Sequence, residues 1–110
     1  MAVHRFQQFF GVATLQGDKV LKIVEKPKTP ESNLAVIGIY MYDGRVFDII
    51  KTLKPSNRGE LEITDVNNWY IQDGSLTCEV LDGWWTDAGT PKSLHHSACL
   101  VANGGANKLD

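Results

Sequence analysis

The chain has 110 residues, of which 43% are hydrophobic, and 11 basic against 13 acidic residues leave a formal net charge of −2. This length suits one folded unit, and the scattered, nearly balanced charge excludes the basic surface of a nucleic-acid-binding protein. No apolar run approaches membrane-spanning length, and we identify no secretion signal at the start. Because Cys78 and Cys99 form no spaced framework, we expect buried free thiols and a reducing, cytoplasmic compartment.

The first part of the chain predicts a β-hairpin. Residues 1–9 carry little pattern and are expected to form a loose lead-in. Residues 9–15 and 20–24 are apolar enough for two strands, and the short polar stretch between them suits a turn. Pro27 ends the second strand because it cannot donate to a sheet, and it favours an extended backbone at Lys26.

The strongest strand signal lies at residues 34–42, which are almost continuously apolar, as in a strand buried on both faces of a sheet. Gly38 interrupts this run, and a glycine within a strand often marks the close approach of a ligand or another backbone. Helical periodicity then predicts helices over residues 44–53 and 61–72. A third helix is expected to begin at Pro91, after an N-cap threonine.

Residues 76–81 add one further strand. The pattern therefore predicts an α/β chain: a mixed sheet with a β-hairpin and about three helices, in a single domain over residues 1–110 whose ends, 1–9 and 104–110, are loose. Only one strand has the pattern of full burial, whereas a doubly wound sheet contains several. We therefore expect this to be part of a larger sheet, or a chain that completes its sheet by pairing with another chain or with itself.

Charged and aromatic side chains at strand ends and helix starts are the candidates for chemistry, because α/β proteins place ligands there. Lys26 and Arg58 offer cations for a phosphate, and Glu25 offers a carboxylate for sugar hydroxyls. Trp85 offers a flat apolar face on which a sugar ring could lie. Asp87 could hold a divalent cation together with substrate phosphates.

Each candidate has a plainer alternative. Arg58 has Glu60 and Glu62 beside it, so it could be a solvated arginine in a surface ion pair. The charged pair at positions 25 and 26 could be an ordinary exposed strand end. Asp87 could be a turn residue, and one of the two adjacent tryptophans is expected in the core because strand side chains alternate. Taken singly, the residues leave these alternatives open.

Four motifs occur in order and at natural spacing: Glu25-Lys26-Pro27, and residues 36–43, 56–67 and 83–94. Together they resemble the C-terminal half of the sugar-phosphate nucleotidylyltransferases, and within that family the glucose-1-phosphate thymidylyltransferases above all. The run Arg-Gly-Glu-Leu-Glu-Ile-Thr-Asp, which begins at Arg58, is the most distinctive part. The resemblance covers about residues 10–101.

The resemblance implies a partial nucleotidyltransferase-like, Rossmann-like fold. It also implies a reaction in which a nucleoside triphosphate and a sugar 1-phosphate give a nucleotide sugar and pyrophosphate, with Mg²⁺. The residue roles that it implies are sugar hydroxyl binding by Glu25, phosphate contacts by Lys26 and Arg58, close approach of the sugar at Gly38, a sugar-site wall at Trp85 and one metal carboxylate at Asp87.

The resemblance extends to only half of the family's fold. The family's N-terminal half carries a glycine-rich triphosphate loop and a second metal carboxylate, and neither has a counterpart here; Gly104-Gly105 follows a helix instead of opening one. We therefore expect the isolated chain to bind a sugar 1-phosphate without catalysing transfer, or to become active only with a separate N-terminal half. The alternative is a non-catalytic assembly or regulatory module that pairs with itself.

Overall fold

The computed structural model describes residues 1–4 and 11–104 of the chain. These residues form five strands and three helices, and the predicted combination of a mixed sheet, a hairpin and three helices is confirmed. In chain order the elements are β1 (Ala2–His4), β2 (Gly11–Gln16), β3 (Lys19–Glu25), β4 (Ala35–Val36), α1 (Val46–Thr52), α2 (Ile63–Asp73), β5 (Glu79–Val80) and α3 (Pro91–Ala102).

The predicted hairpin is confirmed. Strands β2 and β3 pair antiparallel from Gly11 opposite Glu25 to Gln16 opposite Lys19. Gly17 closes the turn with a φ of 65°, a backbone conformation that glycine adopts without steric cost. The predicted loose lead-in is wrong for its first residues, because β1 pairs antiparallel with β4 and parallel with β5. The rest of that lead-in, and the predicted loose end from residue 105 onward, lie outside the described residues.

The sheet has the order β3-β2-β4-β1-β5 and helix α2 lies against β3. Two groups of buried apolar side chains hold these layers together. The first lies within the sheet and the second lies between α1 and α2, and the half-buried Leu76 packs against both. The buried members are Val3, Ala13, Val20 and Ile23 in the first group, and Ile49, Val66 and Tyr70 in the second.

The long buried strand predicted over residues 34–42 is wrong beyond its first part. Only Ala35–Val36 is regular strand, and the next residue, Ile37, is still buried, with 1% of its surface exposed. The chain then turns tightly, with the Ile39 N–H donating to the Ile37 carbonyl at 2.8 Å. Ile39 and Met41 are 56% and 91% exposed. An apolar run becomes a central strand only where neighbouring strands pair with it, and no described strand lies along residues 38–42.

Helix α3 begins as predicted, with Thr90 and Ser93 forming a reciprocal capping box around Pro91. None of its side chains is buried, so its apolar face, including Leu94 and Val101, remains exposed. The prediction of a buried thiol is wrong for Cys99, which is exposed on this helix. No described helix has the length and apolar character needed to cross a membrane.

Candidate functional site

Glu25 and Arg58 line the same surface cavity, which has a volume of about 240 Å³. Strand β3 supplies Glu25 as its last residue, and the loop before α2 supplies Arg58. Thr64, in the first turn of α2, donates its hydroxyl hydrogen bond to Glu25 Oε2 at 3.2 Å and so ties the strand end to the helix. The lining is completed by Ser56, Asn57, Glu62, Thr64 and Asp65.

A network of polar contacts holds Arg58 in its loop. Its Nη2 donates to both carboxylate oxygens of Glu62, at 2.8 and 2.9 Å, and its Nε donates to Oε1 at 3.1 Å. Ser56 donates to the same Oε1 at 2.8 Å and accepts from the Arg58 backbone N–H. Glu60 lies farther away, at 3.5 Å. The predicted alternative of an arginine paired with both glutamates therefore describes its geometry in this structure.

These contacts shift the ionisation of both partners. The hydrogen bonds from Arg58 and then Ser56 lower the pKa of Glu62, and the nearby charge of Lys26 lowers it further. The hydrogen bond and charge of Glu62 raise the pKa of Arg58, and the charges of Glu60 and Glu25 contribute. The charges of Lys26 and Glu25 therefore lie near enough to this ion pair to act on it.

Lys26 has a left-handed backbone conformation, with a φ of 45°. The extended backbone predicted from the following proline is therefore wrong. This conformation costs a residue with a Cβ ~1–2 kcal/mol, and such residues concentrate at binding and catalytic sites, where the surrounding structure holds them. The strained residue lies directly beside Glu25 at the end of β3.

Four predicted site residues, Lys26, Gly38, Trp85 and Asp87, lie outside the lining of this cavity. Gly38 is exposed, and a Cβ placed on it would meet no atom within 4 Å, so the close approach predicted there is not made by the described part of the chain. Trp85 is half-buried between β5 and α3, in a segment without regular secondary structure. The structure thus brings Glu25 and Arg58 to one cavity, with Lys26 next to Glu25 in the chain, and the roles of all six predicted site residues stay predictions.

Asp87 acts locally as a turn residue. Its Oδ2 accepts from the Gly89 backbone N–H at 2.9 Å and from the Ser93 hydroxyl at 3.5 Å, just before α3. Among residues 1–4 and 11–104, no group of three or more His, Cys, Asp or Glu side chains could hold a metal ion. Because Mg²⁺ needs near-octahedral oxygen coordination, the described residues do not fit a Mg²⁺ site by themselves. Mg²⁺ remains an implication of the family.

Three side chains that support the cavity were not predicted as site residues. Two of them were missed, and the third was named only as an alternative ion-pair partner of Arg58. Glu62 follows Arg58 by four positions, a spacing at which opposite charges often pair, so this contact had a local signal. The contacts of Thr64 and Ser56 had no such local signal in the sequence. Their contacts depend on how the end of β3 and the loop fold against α2, and no spacing rule in one sequence reveals that.

A second polar cluster lies where α1 begins and α2 ends. The Arg45 guanidinium lies 2.8 Å from Asp43 and 3.2 Å from Asp73, and its centre is 5.4 Å from the Trp69 ring. The hydrogen bonds that Arg45 donates to the two aspartates raise its pKa above the usual value. Because neighbouring side chains surround this guanidinium on several sides, we interpret it as a clamp between the helices rather than a ligand site.

Comparison with known proteins agrees with this architecture. A family model described as nucleotidyl transferase matches residues 3–104. The chain belongs to the nucleotidyl transferase family. The match begins at residue 3, so the expectation that residues 1–9 fall outside the resemblance is wrong for part of that segment. The resemblance inferred from the four motifs is confirmed.

Several curated relatives are glucose-1-phosphate thymidylyltransferases. The chain is 47% identical over 95 residues to the one from Neisseria meningitidis, covering 84% of this chain and 33% of the relative. It is 52% identical over 95 residues to the one from Xanthomonas campestris, covering 84% of this chain and 32% of the relative. The chain thus spans about a third of the length of the curated relatives that it matches.

Two solved structures have the same fold. A Bacillus anthracis chain assigned as a glucose-1-phosphate thymidylyltransferase, in complex with sucrose, superposes with a TM-score of 0.82 at 50% identity. The superposition covers 97% of this nucleotidyl transferase chain and 44% of the other. A UDP-glucose pyrophosphorylase complexed with UDP-glucose gives a TM-score of 0.79 at 24% identity, over 94% of this chain and 43% of the other, which establishes likeness of fold alone.

Proposed function

We propose that this chain is the sugar-1-phosphate-binding part of a glucose-1-phosphate thymidylyltransferase and that, alone, it binds without catalysing transfer. The observation that supports this is that Glu25 and Arg58 line one cavity, and that Lys26, which follows Glu25 in the chain, lies near enough for its charge to lower the pKa of Glu62. A carboxylate and two cations side by side match the two ends of a sugar 1-phosphate, which carries hydroxyls at one end and a phosphate at the other.

The proposed roles follow from the chemistry of each group. The planar guanidinium of Arg58 can donate two parallel hydrogen bonds to phosphate oxygens, and Lys26 adds a second positive charge. Glu25 accepts hydrogen bonds from sugar hydroxyls, with Thr64 fixing the orientation of its carboxylate at 3.2 Å. We also assign Trp85 to the sugar-facing wall and Gly38 to the close approach of the sugar, following the family.

Phosphoryl transfer depends mainly on positioning the reactants and on neutralising the developing negative charge. In this proposal the chain positions the sugar phosphate and supplies part of that positive charge. Binding of the nucleoside triphosphate falls to the remainder of the fold, which a separate N-terminal half would provide. We further propose that residues 1–110 form a single domain and that the protein acts in the cytoplasm.

A calorimetric titration tests the proposal. We expect the purified chain to bind glucose 1-phosphate more tightly than glucose, because the phosphate engages Lys26 and Arg58. Arg58→Ala should weaken this binding at least ~10-fold, the loss of one charge-assisted interaction. Lys51→Ala is the matched control, since Lys51 is a cation on α1 that pairs with Asp48. Equal affinity in the parent chain and Arg58→Ala would remove Arg58 from the site.

Exposed apolar side chains support a second candidate function, a non-catalytic assembly module that pairs with a copy of itself. Helix α3 has no buried residue, and Ile39, Met41, Leu94 and Val101 are all exposed. Such surface favours association in water. Light scattering, together with the titration, distinguishes the two functions. A stable dimer by light scattering that shows no affinity for glucose 1-phosphate in the titration would support the assembly module and contradict the binding role.

A further inference from the structure

A histidine and a cysteine form a close pair on the surface of helix α3. Cys99 Sγ lies 3.6 Å from His95 Nε2, and both residues are exposed. They are four positions apart in the helix, which places their side chains on one face. The proposed sugar-phosphate site uses neither residue, so the pair is free to serve a separate function.

The distance between these two atoms is the one that a shared zinc ion requires. Zinc binds a thiolate sulfur at about 2.3 Å and an imidazole nitrogen at about 2.0–2.1 Å, in tetrahedral geometry. A tetrahedral angle of about 109° between two such bonds separates the sulfur from the nitrogen by about 3.5–3.6 Å. On binding, the Cys99 thiol would lose its proton to solvent, and the ion would lie between sulfur and nitrogen.

Two ligands leave a tetrahedral ion with two open positions. No third His, Cys, Asp or Glu side chain joins the pair within the part of the chain that the structure describes. A second copy of α3, related by a two-fold axis through the ion, would supply the same two ligands again and complete a site of two cysteines and two histidines. The two thiolates together would also neutralise the charge of a divalent ion.

The surface around the pair allows a second helix to approach closely. Ala98 and Ala102 lie three and seven positions after His95, so they share its face of α3, and both are exposed. Small side chains at a helix contact shorten the distance between the helix axes. Lys92, one turn before His95, is also exposed, and its long side chain can extend into solvent away from the ion.

We propose that His95 and Cys99 are the two ligands that each of two copies of this chain contributes to one shared zinc site, so that Zn²⁺ joins the copies through their α3 helices. The class of ion follows from the donor atoms. Thiolate and imidazole suit Zn²⁺, whereas Mg²⁺, the ion of the family's reaction, prefers oxygen ligands. The pairing of copies therefore depends on a metal ion and on one face of one helix.

Sedimentation velocity of the full chain, in EDTA and then with added Zn²⁺, tests the shared site. A phosphine reductant keeps the cysteines as thiols, so that a disulfide cannot join two chains. We expect Zn²⁺ to shift the chain from monomer to dimer, and calorimetric titration with Zn²⁺ to give one ion per two chains. The same concentration of Mg²⁺ should leave the distribution unchanged, because the two ligands are nitrogen and sulfur.

Variants of α3 identify the ligands. His95→Ala and Cys99→Ser should each weaken Zn²⁺ binding at least ~10-fold and abolish the Zn²⁺-dependent dimer, since each removes two of the four ligands of the shared site. His96→Ala is the matched control, because His96 is an exposed histidine on the same helix whose side chain points about 100° away from that of His95. It should change neither measurement. All three positions are exposed, so the variants should keep the circular dichroism spectrum of the parent chain.

Three results would overturn the shared site. The first is the same proportion of dimer in EDTA and in Zn²⁺, which would assign any pairing of copies to apolar contact alone. The second is a complex of one Zn²⁺ per chain that stays monomeric, because a second copy would then supply no ligand. The third is an equal loss of Zn²⁺ affinity in His95→Ala and His96→Ala, which would indicate unspecific binding by surface histidines. None of these results depends on sugar-phosphate binding.

Discussion

Arg58 and Glu62 form an ion pair in which one guanidinium nitrogen, Nη2, contacts both carboxylate oxygens, at 2.8 and 2.9 Å. The pair fixes the arginine at the edge of the cavity before any ligand arrives. It also engages part of the guanidinium, so a phosphate has to share this group with Glu62. A planar group with five N–H donors can serve both partners, which a single ammonium group does less well.

This sharing predicts that Arg58→Lys will behave nearly like Arg58→Ala. The lysine keeps the charge, but Glu62 and Glu60 would hold its ammonium group and the two parallel donors would be lost. We expect the affinity for glucose 1-phosphate, measured by calorimetry, to fall at least ~10-fold in both variants. A lysine variant that binds as tightly as the parent would mean that charge alone is sufficient at this position.

Glu25 should distinguish the sugar from the phosphate. Glu25→Gln removes the carboxylate proposed to accept sugar hydroxyls, so we expect weaker binding of glucose 1-phosphate and unchanged binding of inorganic phosphate. The matched control is Glu31→Gln, because Glu31 is an exposed glutamate that pairs with Lys22. If Glu25→Gln changes the affinities for both ligands equally, Glu25 acts on the phosphate or on Arg58 rather than on the sugar.

The sequence predicted best those features that depend on near neighbours in the chain. The start of α3 follows from Thr90 and Pro91, and its capping box forms as expected. The hairpin follows from two apolar runs around a short turn. Glu25, Lys26 and Arg58 were proposed as site residues because their local motifs are distinctive, and the meeting of Glu25 and Arg58 at one cavity adds a spatial relation that the motifs do not contain.

Features that depend on distant partners were not predictable. The apolar run at residues 34–42 has the composition of a central strand, but a strand forms only along a paired edge, and the described neighbours reach Ala35–Val36 alone. Likewise, β1 was read as a loose lead-in because its three residues carry no pattern, and its stability comes from pairing with β4 and β5. In both cases the deciding contacts are remote in sequence.

The core between α1 and α2 offers a test of the fold with adjacent isoleucines. Ile49 is 4% exposed and packs with Val66 and Tyr70, whereas Ile50 is 39% exposed. Ile49→Ala should lower the free energy of unfolding by about 2–5 kcal/mol, through lost burial and the cavity left behind. Ile50→Ala should cost less than about 1 kcal/mol. Urea unfolding measures both, and similar losses would contradict the packing described for α1.

The buried amide of Asn67 depends on Tyr42. Asn67 is 1% exposed, and its Oδ1 accepts a hydrogen bond from the Tyr42 hydroxyl at 2.7 Å. Tyr42→Phe leaves this oxygen without that donor, so we expect a loss of about 1–3 kcal/mol in the free energy of unfolding. Tyr40→Phe is the control, because the Tyr40 ring stacks beside Tyr42 and its hydroxyl makes no hydrogen bond within residues 1–4 and 11–104. Equal losses in the two variants would exclude the hydrogen bond as the cause.

Tyr42 also predicts a loss of stability at alkaline pH. Burial, followed by the neighbouring Tyr40 and Tyr70, raises the pKa of Tyr42 from the ordinary value of 10.0 to about 12. Below pH 10 the hydroxyl is protonated in both the folded and the unfolded chain, so this group adds no pH dependence. Between pH 10 and about 12 only the unfolded chain ionises, which favours unfolding.

The free energy of unfolding should therefore fall as the pH rises from 10 to 12, and part of that fall should disappear in Tyr42→Phe. Urea titrations of the parent chain and the variant from pH 8 to pH 12 give the two curves. Lysine deprotonation affects both proteins alike, so the difference between the curves isolates the tyrosine. Parallel curves across the whole range would show that the folded environment of Tyr42 does not favour its neutral form.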